Sequence, residues 1–404
     1  MKNDLGFPSY FTLWLGAAIS IAELLTGGLL APLGFKIGLA VIIIGHLAGT
    51  GILVLGGVIG TAERLPSIMS AGISFGSYGT YLFSILNVLQ LLGWTAVMII
   101  SGARSVNTIT EALWGYGNLK LWSILLGGLI CMWIYFGRDC WRKLNQIAVV
   151  LLFLLTVLLS LLIFNSGDVF NKAASGGLSL GSAIELNVIM PLSWLPLIAD
   201  YTRFARNKRA GAAGSFLGYF VGSAWMYAIG LGTAIAAGNA DPGAIMLASN
   251  LGIFALGIVV LSTVTTTFLD ASSAGTSLLN VLPGLGERKA ALLMGMLGTL
   301  AALAVPIEQY ENFLYAIGSV FAPLFAIVIT DYFLIKERRE LREDMLINWS
   351  AAVAWIIGVA LYYRFIKLEL IFGATIPVML ITGLLHYLSR RYTREWILLR
   401  KQQQ

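Results

Sequence analysis

The sequence predicts an all-α integral membrane protein of twelve transmembrane helices in a single domain, and three observations predict it. Hydrophobic residues make up 58% of the 404-residue chain and charged residues 11%, against about 25% charged in a typical soluble domain. A soluble fold of this length leaves too much surface in water to hide that apolar content. Apolar runs approaching the roughly 20 residues that a spanning helix needs follow one another almost end to end. The Lys and Arg between them are concentrated in every second loop.

Runs bounded by charge or by Gly and Pro clusters place spans at about 10–35, 36–62, 77–103, 121–137, 145–165, 182–200, 212–237, 250–280, 290–306, 313–335, 347–366 and 368–388. The basic loops hold Arg138, Arg142 and Lys143; Arg203, Arg206, Lys208 and Arg209; Arg288 and Lys289; Lys336, Arg338, Arg339 and Arg342; and Arg390, Arg391 and Arg394. The loops between them hold Asp168 with Lys172, then Asp241, then Glu308 and Glu311. Lys and Arg bias sets orientation, so the basic loops and both termini are predicted to be cytoplasmic, in an inner (plasma) membrane. An even number of spans agrees with that. The net charge of +6 is then the residue of this bias and no sign of a nucleic-acid partner. The polar start, 1–8, lacks a small-x-small cleavage site after a brief apolar core, so no signal peptide is expected. Cys131 and Cys140 fall at different membrane depths, and no disulfide is expected between them.

Four spans depart from plain helix. Span 1 has Ser20 and Glu23 before Thr26-Gly27-Gly28, and span 6 has Pro191-Leu-Ser193-Trp194-Leu-Pro196, whose prolines each remove a backbone donor. Span 8 has a hydroxyl stripe from Ser262 through Thr265 and Thr266 to Ser273, with Asp270 inside it, and span 10 has Pro323. Spans 1 and 6 are equivalent if about 10–165 and 182–335 are five-span repeats, which an odd span number inverts in the membrane; 347–388 are then accessory helices. Interrupted helices at matching places of inverted halves point to a transporter's midplane site. The blander readings are kinks for the prolines and packing faces for Gly45-x3-Gly49 and Gly214-x3-Gly218-x3-Gly222.

A carboxylate at membrane depth costs about 2.5–3.5 kcal/mol on insertion scales and marks function by default. Glu23 is the first such candidate, with a helix–helix hydrogen bond as its structural alternative, and Asp270 is the second. Asp200 and Asp331 end spans 6 and 10 beside basic clusters and suit gate or ion-pair roles. His46 and His386 are expected to pack. Asn87, Gln90 and Trp94 share one face of span 3 by their spacing. An amide beside an indole suits a flat heteroaromatic, which stacks while the amide donates and accepts at its edge. Trp194 is placed to form the opposite wall.

At these residues the chain resembles the nucleobase–cation symporter-1 transporters. The marks are Leu15-Gly16 leading to Thr26-Gly27-Gly28, Gly93-Trp94, Ala199-Asp200-Tyr-Thr-Arg203-Phe204-Ala-Arg206-Asn207, Thr265-Thr266, Thr330-Asp331-Tyr332 and Asn348-Trp349. The stretch from Gly16 to Glu23, with Leu30-Ala-Pro-Leu-Gly34, looks more like the branch thought to carry hydroxymethylpyrimidine, a thiamine precursor. The resemblance implies a five-plus-five inverted repeat of the leucine-transporter type with two added helices, Na+ as coupling ion and no other cofactor. It implies an ion site at Gly16 and Ser20 with Thr265 and Thr266, stacking on Trp94, and a substrate contact at Ser193. The cytosine-carrying branch differs at four places. Its span 8 asparagine falls on Ser262, its span 3 glutamine does not align with Gln90, its span 6 phenylalanine falls near Pro191, and Glu23 stands where it has a serine. A carboxylate accepts from an exocyclic amine, so Glu23 is assigned to the amino edge of a pyrimidine.

The expected function is therefore alternating-access symport of an aminopyrimidine by a lipid-embedded monomer. Its alternatives are cytosine or another nucleobase as substrate, and coupling to a proton through Glu23 or Asp270. A pore is expected to show a charged ring or repeated filter carbonyls, and an intramembrane enzyme a nucleophile–base or metal set. The sequence offers neither pattern.

Overall fold

The first expected span is two helices. In the computed structural model α1 (Phe7–Ala18) and α2 (Ile21–Leu29) meet at 58° across Ile19 and Ser20. Ser20 is extended, and its Oγ accepts the Glu23 amide at 3.3 Å, the start signal that Ser-x-x-Glu encodes. The structure describes residues 5–136, 138–165, 167–172, 174–238, 253–304, 310–336 and 346–402. The loop charges expected at Arg138, Arg142, Lys143, Asp168, Asp241, Glu308, Arg338, Arg339, Arg342 and Arg394, and the Cys140 side chain, lie outside what is described.

After α2 come α3 (Phe35–Glu63), the short α4 (Ser67–Ser70) and α5 (Gly72–Phe75), α6 (Ser77–Trp114), α7 (Leu119–Phe136) and α8 (Arg138–Phe164). Then follow α9 (Leu180–Ser193), α10 (Leu195–Thr202), α11 (Lys208–Ala237), α12 (Ile253–Val281) and α13 (Glu287–Ala302). Last are α14 (Tyr310–Ile329), which runs into a π-helical turn at Thr330–Ile335, α15 (Trp349–Leu368) and α16 (Thr375–Gln402). Nine helices among the described residues are long and apolar enough to cross a membrane, ten with the bent α1–α2 pair. The segments expected at 290–306 and 368–388 lie on the other two. There α13 has 16 residues, and α16 carries His386, Arg390 and Arg391 along its length.

The second break is milder than the first. Trp194 keeps helical angles, and the amides of Trp194 and Leu197 bond three residues back, to Pro191 and Trp194. Span 6 is thus a 23-residue helix, Leu180–Thr202, tightened for one turn between its prolines instead of opened. The hydroxyl stripe of α12 and Pro323 of α14 sit in continuous helix.

Small residues set how closely these helices approach. A Cβ on Gly218 of α11 would lie 2.4 Å from the Phe11 carbonyl of α1, and one on Gly230 would lie 2.0 Å from the Leu24 carbonyl of α2. Gly45 and Gly49 bring α3 onto α9 in the same way. The Gly stripes are packing faces, and those of α11 hold the broken first span. Large apolar side chains such as Leu89, Leu161, Leu300 and Leu380 are more than half exposed on the outer helix faces, as a lipid solvent requires.

Buried Glu185 of α9 joins the last helix to this bundle. It accepts from the amides of Ala374 and Thr375, from Thr375 Oγ1 and from Tyr362 Oη. It thereby satisfies donors that the N-terminus of α16 leaves without helical partners. Nothing local in the sequence marks Glu185 for this role. Midway along α16, buried His386 contacts Asp331 Oδ1 at 2.9 Å, with Arg390 Nε at 3.9 Å. Arg390 is the basic partner expected for Asp331, and His386, expected to pack, bonds the same carboxyl.

Candidate substrate and ion site

The two breaks face each other across a narrow cavity. Its wall includes Ser20, Ala22 and Glu23 from the first, Ser193 and Trp194 from the second, Trp94 and Met98 from α6, Met190 from α9, and Thr266 and Asp270 from α12. Its interior holds about one water molecule, so a pyrimidine ring enters only as these side chains part.

The aromatic walls are placed by ring contacts. Trp94 packs edge-on against Phe313 at 5.5 Å and Tyr310 at 6.1 Å. Trp194 meets Trp14 at 5.6 Å and 86°, and Tyr219 touches both Trp14 and Trp194. These edge-to-face pairs hold the indoles from behind.

Glu23, 1% exposed, is held from α11. Tyr219 Oη donates to its Oε1 at 2.7 Å, and Ser223 Oγ donates to its Oε2 at 2.6 Å. Behind Ser223 lies His46 of α3, with Nε2 2.6 Å from Ser223 Oγ and Nδ1 3.0 Å from the Ile42 carbonyl. A carbonyl only accepts, so Nδ1 carries hydrogen. Ser223 then has one hydrogen for two neighbours, and one further proton, on the carboxyl or on the imidazole, completes the chain. His46 was expected merely to pack; it is part of this network. Tyr219 and Ser223 were not singled out, although their spacing of four puts them on one face of α11, beside the glycines that pack on α1.

At the first break, amides that a continuous helix would give to Gly16 and Ile19 are used elsewhere. The Ser20 amide bonds Ala18 O, and the Glu23 amide bonds Ser20 Oγ. Thr266 Oγ1 reaches the Ala17 carbonyl at 3.4 Å. Thr265 Oγ1 turns back to Leu261 O of its own helix at 2.8 Å. Of the four residues expected at an ion site, Ser20 and Thr266 share the cavity wall. Gly16 is pressed against Val149 of α8, where a Cβ would come within 2.3 Å of a methyl. Carbonyl and hydroxyl oxygens of this kind are the donor set of a hard monovalent cation, and among the described residues no cluster of three His, Cys, Asp or Glu forms a rival metal site.

The remaining expected residues divide. Ser193 lines the cavity while its Oγ bonds Met190 O. Gln90 is committed to the second break: its Nε2 donates to Ser193 O at 2.9 Å, leaving Oε1 buried without a partner. Asn87 does similar work one turn away, donating to Ser277 Oγ at 2.8 Å and Pro196 O at 3.4 Å. Ser262 is buried outside the cavity wall and bonds Val259 O. Asp200 lies away from the cavity, where its Oδ1 accepts the Ser67 amide at 3.0 Å and the Ala199 amide donates to Ser67 Oγ at 2.7 Å. It ties the end of α10 to the start of α4.

Comparison with known proteins agrees with this architecture. The family described as permeases for cytosine/purines, uracil, thiamine and allantoin matches residues 2–388. Cytosine permease of Escherichia coli strain K12 is 26% identical over 354 residues, 86% of this chain and 83% of that protein. Hydantoin permease of Microbacterium maritypicum is 20% identical, over 95% of this chain and 84% of its own. Among solved structures, the nucleobase–cation symporter Mhp1, closed with bromovinylhydantoin bound, superposes with a TM-score of 0.80 at 22% identity, over 97% of this chain and 93% of that one. A Na+-coupled sialic acid symporter shares the fold more distantly, with a TM-score of 0.68 at 13% identity, over 95% and 88% of the two chains. The family match spans almost the whole chain, on a fold shared with symporters: this chain belongs to the cytosine/purine, uracil, thiamine and allantoin permease family and is a multi-pass membrane transporter, not an enzyme.

Proposed function

We propose that this chain is a symporter that imports hydroxymethylpyrimidine, an aminopyrimidine thiamine precursor, together with Na+ by alternating access. The observation that carries the proposal is the cavity between the two breaks, whose wall includes Trp94 and Trp194 together with Glu23 and Asp270. A flat ring stacks on the indoles, and a carboxylate accepts from its exocyclic amine. In this reading Ser193 and the free Oε1 of Gln90 address the ring edge, and Ser262 supports the wall from α12. Na+ sits where the broken first span meets α12, held by Gly16, Ser20, Thr265 and Thr266. Thr265 turns toward the ion when it binds.

The proposed architecture is twelve spans, with α13 and α16 counted, arranged as inverted repeats over about 10–165 and 182–335 with accessory helices at 347–388. Both termini are cytoplasmic in the plasma membrane, and one lipid-embedded chain is the working unit. Na+ and substrate favour the same conformations, which is what couples them. Asp200 then acts at the cytoplasmic gate.

Two observations favour neighbouring readings. Likeness to a cytosine permease favours cytosine as substrate. The Glu23–Ser223–His46 chain, which takes one proton to complete, favours proton coupling, with Asp270 as the second acid. Binding of hydroxymethylpyrimidine to purified protein, with cytosine as competitor, in sodium and in choline buffer separates them. Tight hydroxymethylpyrimidine binding that requires sodium supports the proposal. Binding that ignores sodium and follows pH assigns coupling to the carboxyls, and preference for cytosine overturns the substrate.

A further inference from the structure

Glu23 belongs to the cavity wall, but the three residues that hold it do not. Tyr219 and Ser223 approach from α11 and His46 from α3, each 0% exposed and none in the cavity lining. Each carboxyl oxygen has one hydroxyl on it, at 2.7 and 2.6 Å, and each has a second lone pair left. Ser223 is fixed in turn by the imidazole at 2.6 Å, and that ring is pinned by Ile42 O on one side and the Tyr227 ring, 4.5 Å away and at 78°, on the other. The backbone under Glu23 is held as well, by the Ser20 cap.

A glutamate left to itself samples several rotamers, and freezing them on binding weakens affinity. Here that freezing is done by the fold. Two hydroxyls spaced one turn apart on α11 set the plane of the carboxyl and cover its α11 side. Glu23 lines the cavity, so a ligand bound against it competes only for the lone pairs that the two hydroxyls leave. A hydrogen-bond donor on the ligand finds an oriented acceptor there, whereas a carbonyl on the ligand meets lone pairs facing lone pairs.

We propose that Tyr219, Ser223 and His46 are positioning residues of the substrate site, which aim the Glu23 carboxyl and thereby set a preference for a ring bearing an exocyclic amine over the same ring bearing oxygen. This rests on Glu23 meeting the substrate. Tyr219 and Ser223 act on the carboxyl directly, and His46 acts through Ser223. A merely structural network would support the fold and weaken every ligand alike when cut. A positioning network changes the ratio between ligands.

The test compares dissociation constants for hydroxymethylpyrimidine and for its analogue with oxygen in place of the 4-amino group. Both are measured on purified wild type, Tyr219→Phe, Ser223→Ala, Ser223→Thr and His46→Gln, each checked for monodispersity. Wild type is expected to prefer the amine, and Tyr219→Phe and Ser223→Ala to reduce that preference at least about tenfold. Ser223→Thr, which restores a hydroxyl, is expected to recover it, and His46→Gln to give a smaller loss than Ser223→Ala. Folded variants whose ratio stays at the wild-type value overturn the positioning role alone. A wild type with no preference for the amine overturns the substrate reading, and the positioning role with it.

Discussion

Gln90 Nε2 donates to the carbonyl of Ser193 over 2.9 Å, and that bond, with Asn87 Nδ2 on Pro196 O, joins α6 to the tightened turn of span 6. The carbonyl is open because the Leu197 amide, which would reach it in a regular helix, bonds Trp194 instead. Replacing Gln90 by Leu leaves a buried acceptor unmet, at a cost of about 1–3 kcal/mol. A lower thermal midpoint of the purified protein is expected, with weaker pyrimidine binding because Ser193 and Trp194 line the cavity. Unchanged stability in Gln90→Leu would show that the bond is dispensable.

Thr266 reaches the first break in this structure and Thr265 does not. Thr266→Ala is therefore expected to raise the Na+ concentration for half-maximal uptake about tenfold or more, as loss of one hydrogen-bond-strength contact to a charge does. Thr265→Ala is expected to raise it less. Sodium titrations of uptake into proteoliposomes read both, and an unaltered sodium curve in Thr266→Ala removes the ion from this place.

Gly230 and Gly128 are both helical glycines with opposite surroundings. A Cβ on Gly230 would meet the Leu24 carbonyl at 2.0 Å, while around Gly128 there is nothing within 4 Å. Gly230→Ala forces α11 away from α2, with an overpacking cost of about 1–3 kcal/mol. Gly128→Ala is expected to be neutral or to stabilise by roughly 0.5–1 kcal/mol. Melting curves of the two variants, side by side, check the close approach on which the Glu23 network depends.

Glu185 tests the anchoring of the last helix. Glu185→Gln turns an amide NH2 toward donors that need acceptors, and each charge-assisted bond lost is worth about 1.5–3 kcal/mol. The expected result is a lower melting point and faster proteolysis between α15 and α16. Pyrimidine affinity at low temperature should stay at the wild-type value, because Glu185 is outside the cavity.

Composition and loop charge make the membrane class legible, and Ser20-x-x-Glu23 before Gly27-Gly28 marks the first span as interrupted, because each is a local signal. The break itself lies at Ile19 and Ser20, and the glycine pair expected to make it sits inside α2, with Gly27 packed on α11. The second break was legible as a place but not as a shape. Two prolines flank Trp194, yet its helical angles depend on carbonyls being met by Gln90 and Asn87 from another helix. Glu23, Trp94, Trp194, Thr266 and Asp270 were picked out singly, and the fold brings them to one wall. The partners of Glu23 were not legible. Tyr219 and Ser223 lie 196 and 200 residues further along the chain, and a buried histidine looks the same in sequence whether it packs or bonds. Glu185 was passed over for the same reason: its donors, on Tyr362, Ala374 and Thr375, come from the far end of the chain.

The most direct test of the account is the affinity of Glu23→Gln for hydroxymethylpyrimidine, measured by calorimetry on protein of wild-type stability. Gln keeps one acceptor and the side chain's shape but turns an NH2 toward either the hydroxyls or the ligand. The account predicts affinity at least about tenfold weaker than wild type, the loss of one charge-assisted hydrogen bond. Wild-type affinity in Glu23→Gln would contradict it and remove the carboxyl from the substrate site.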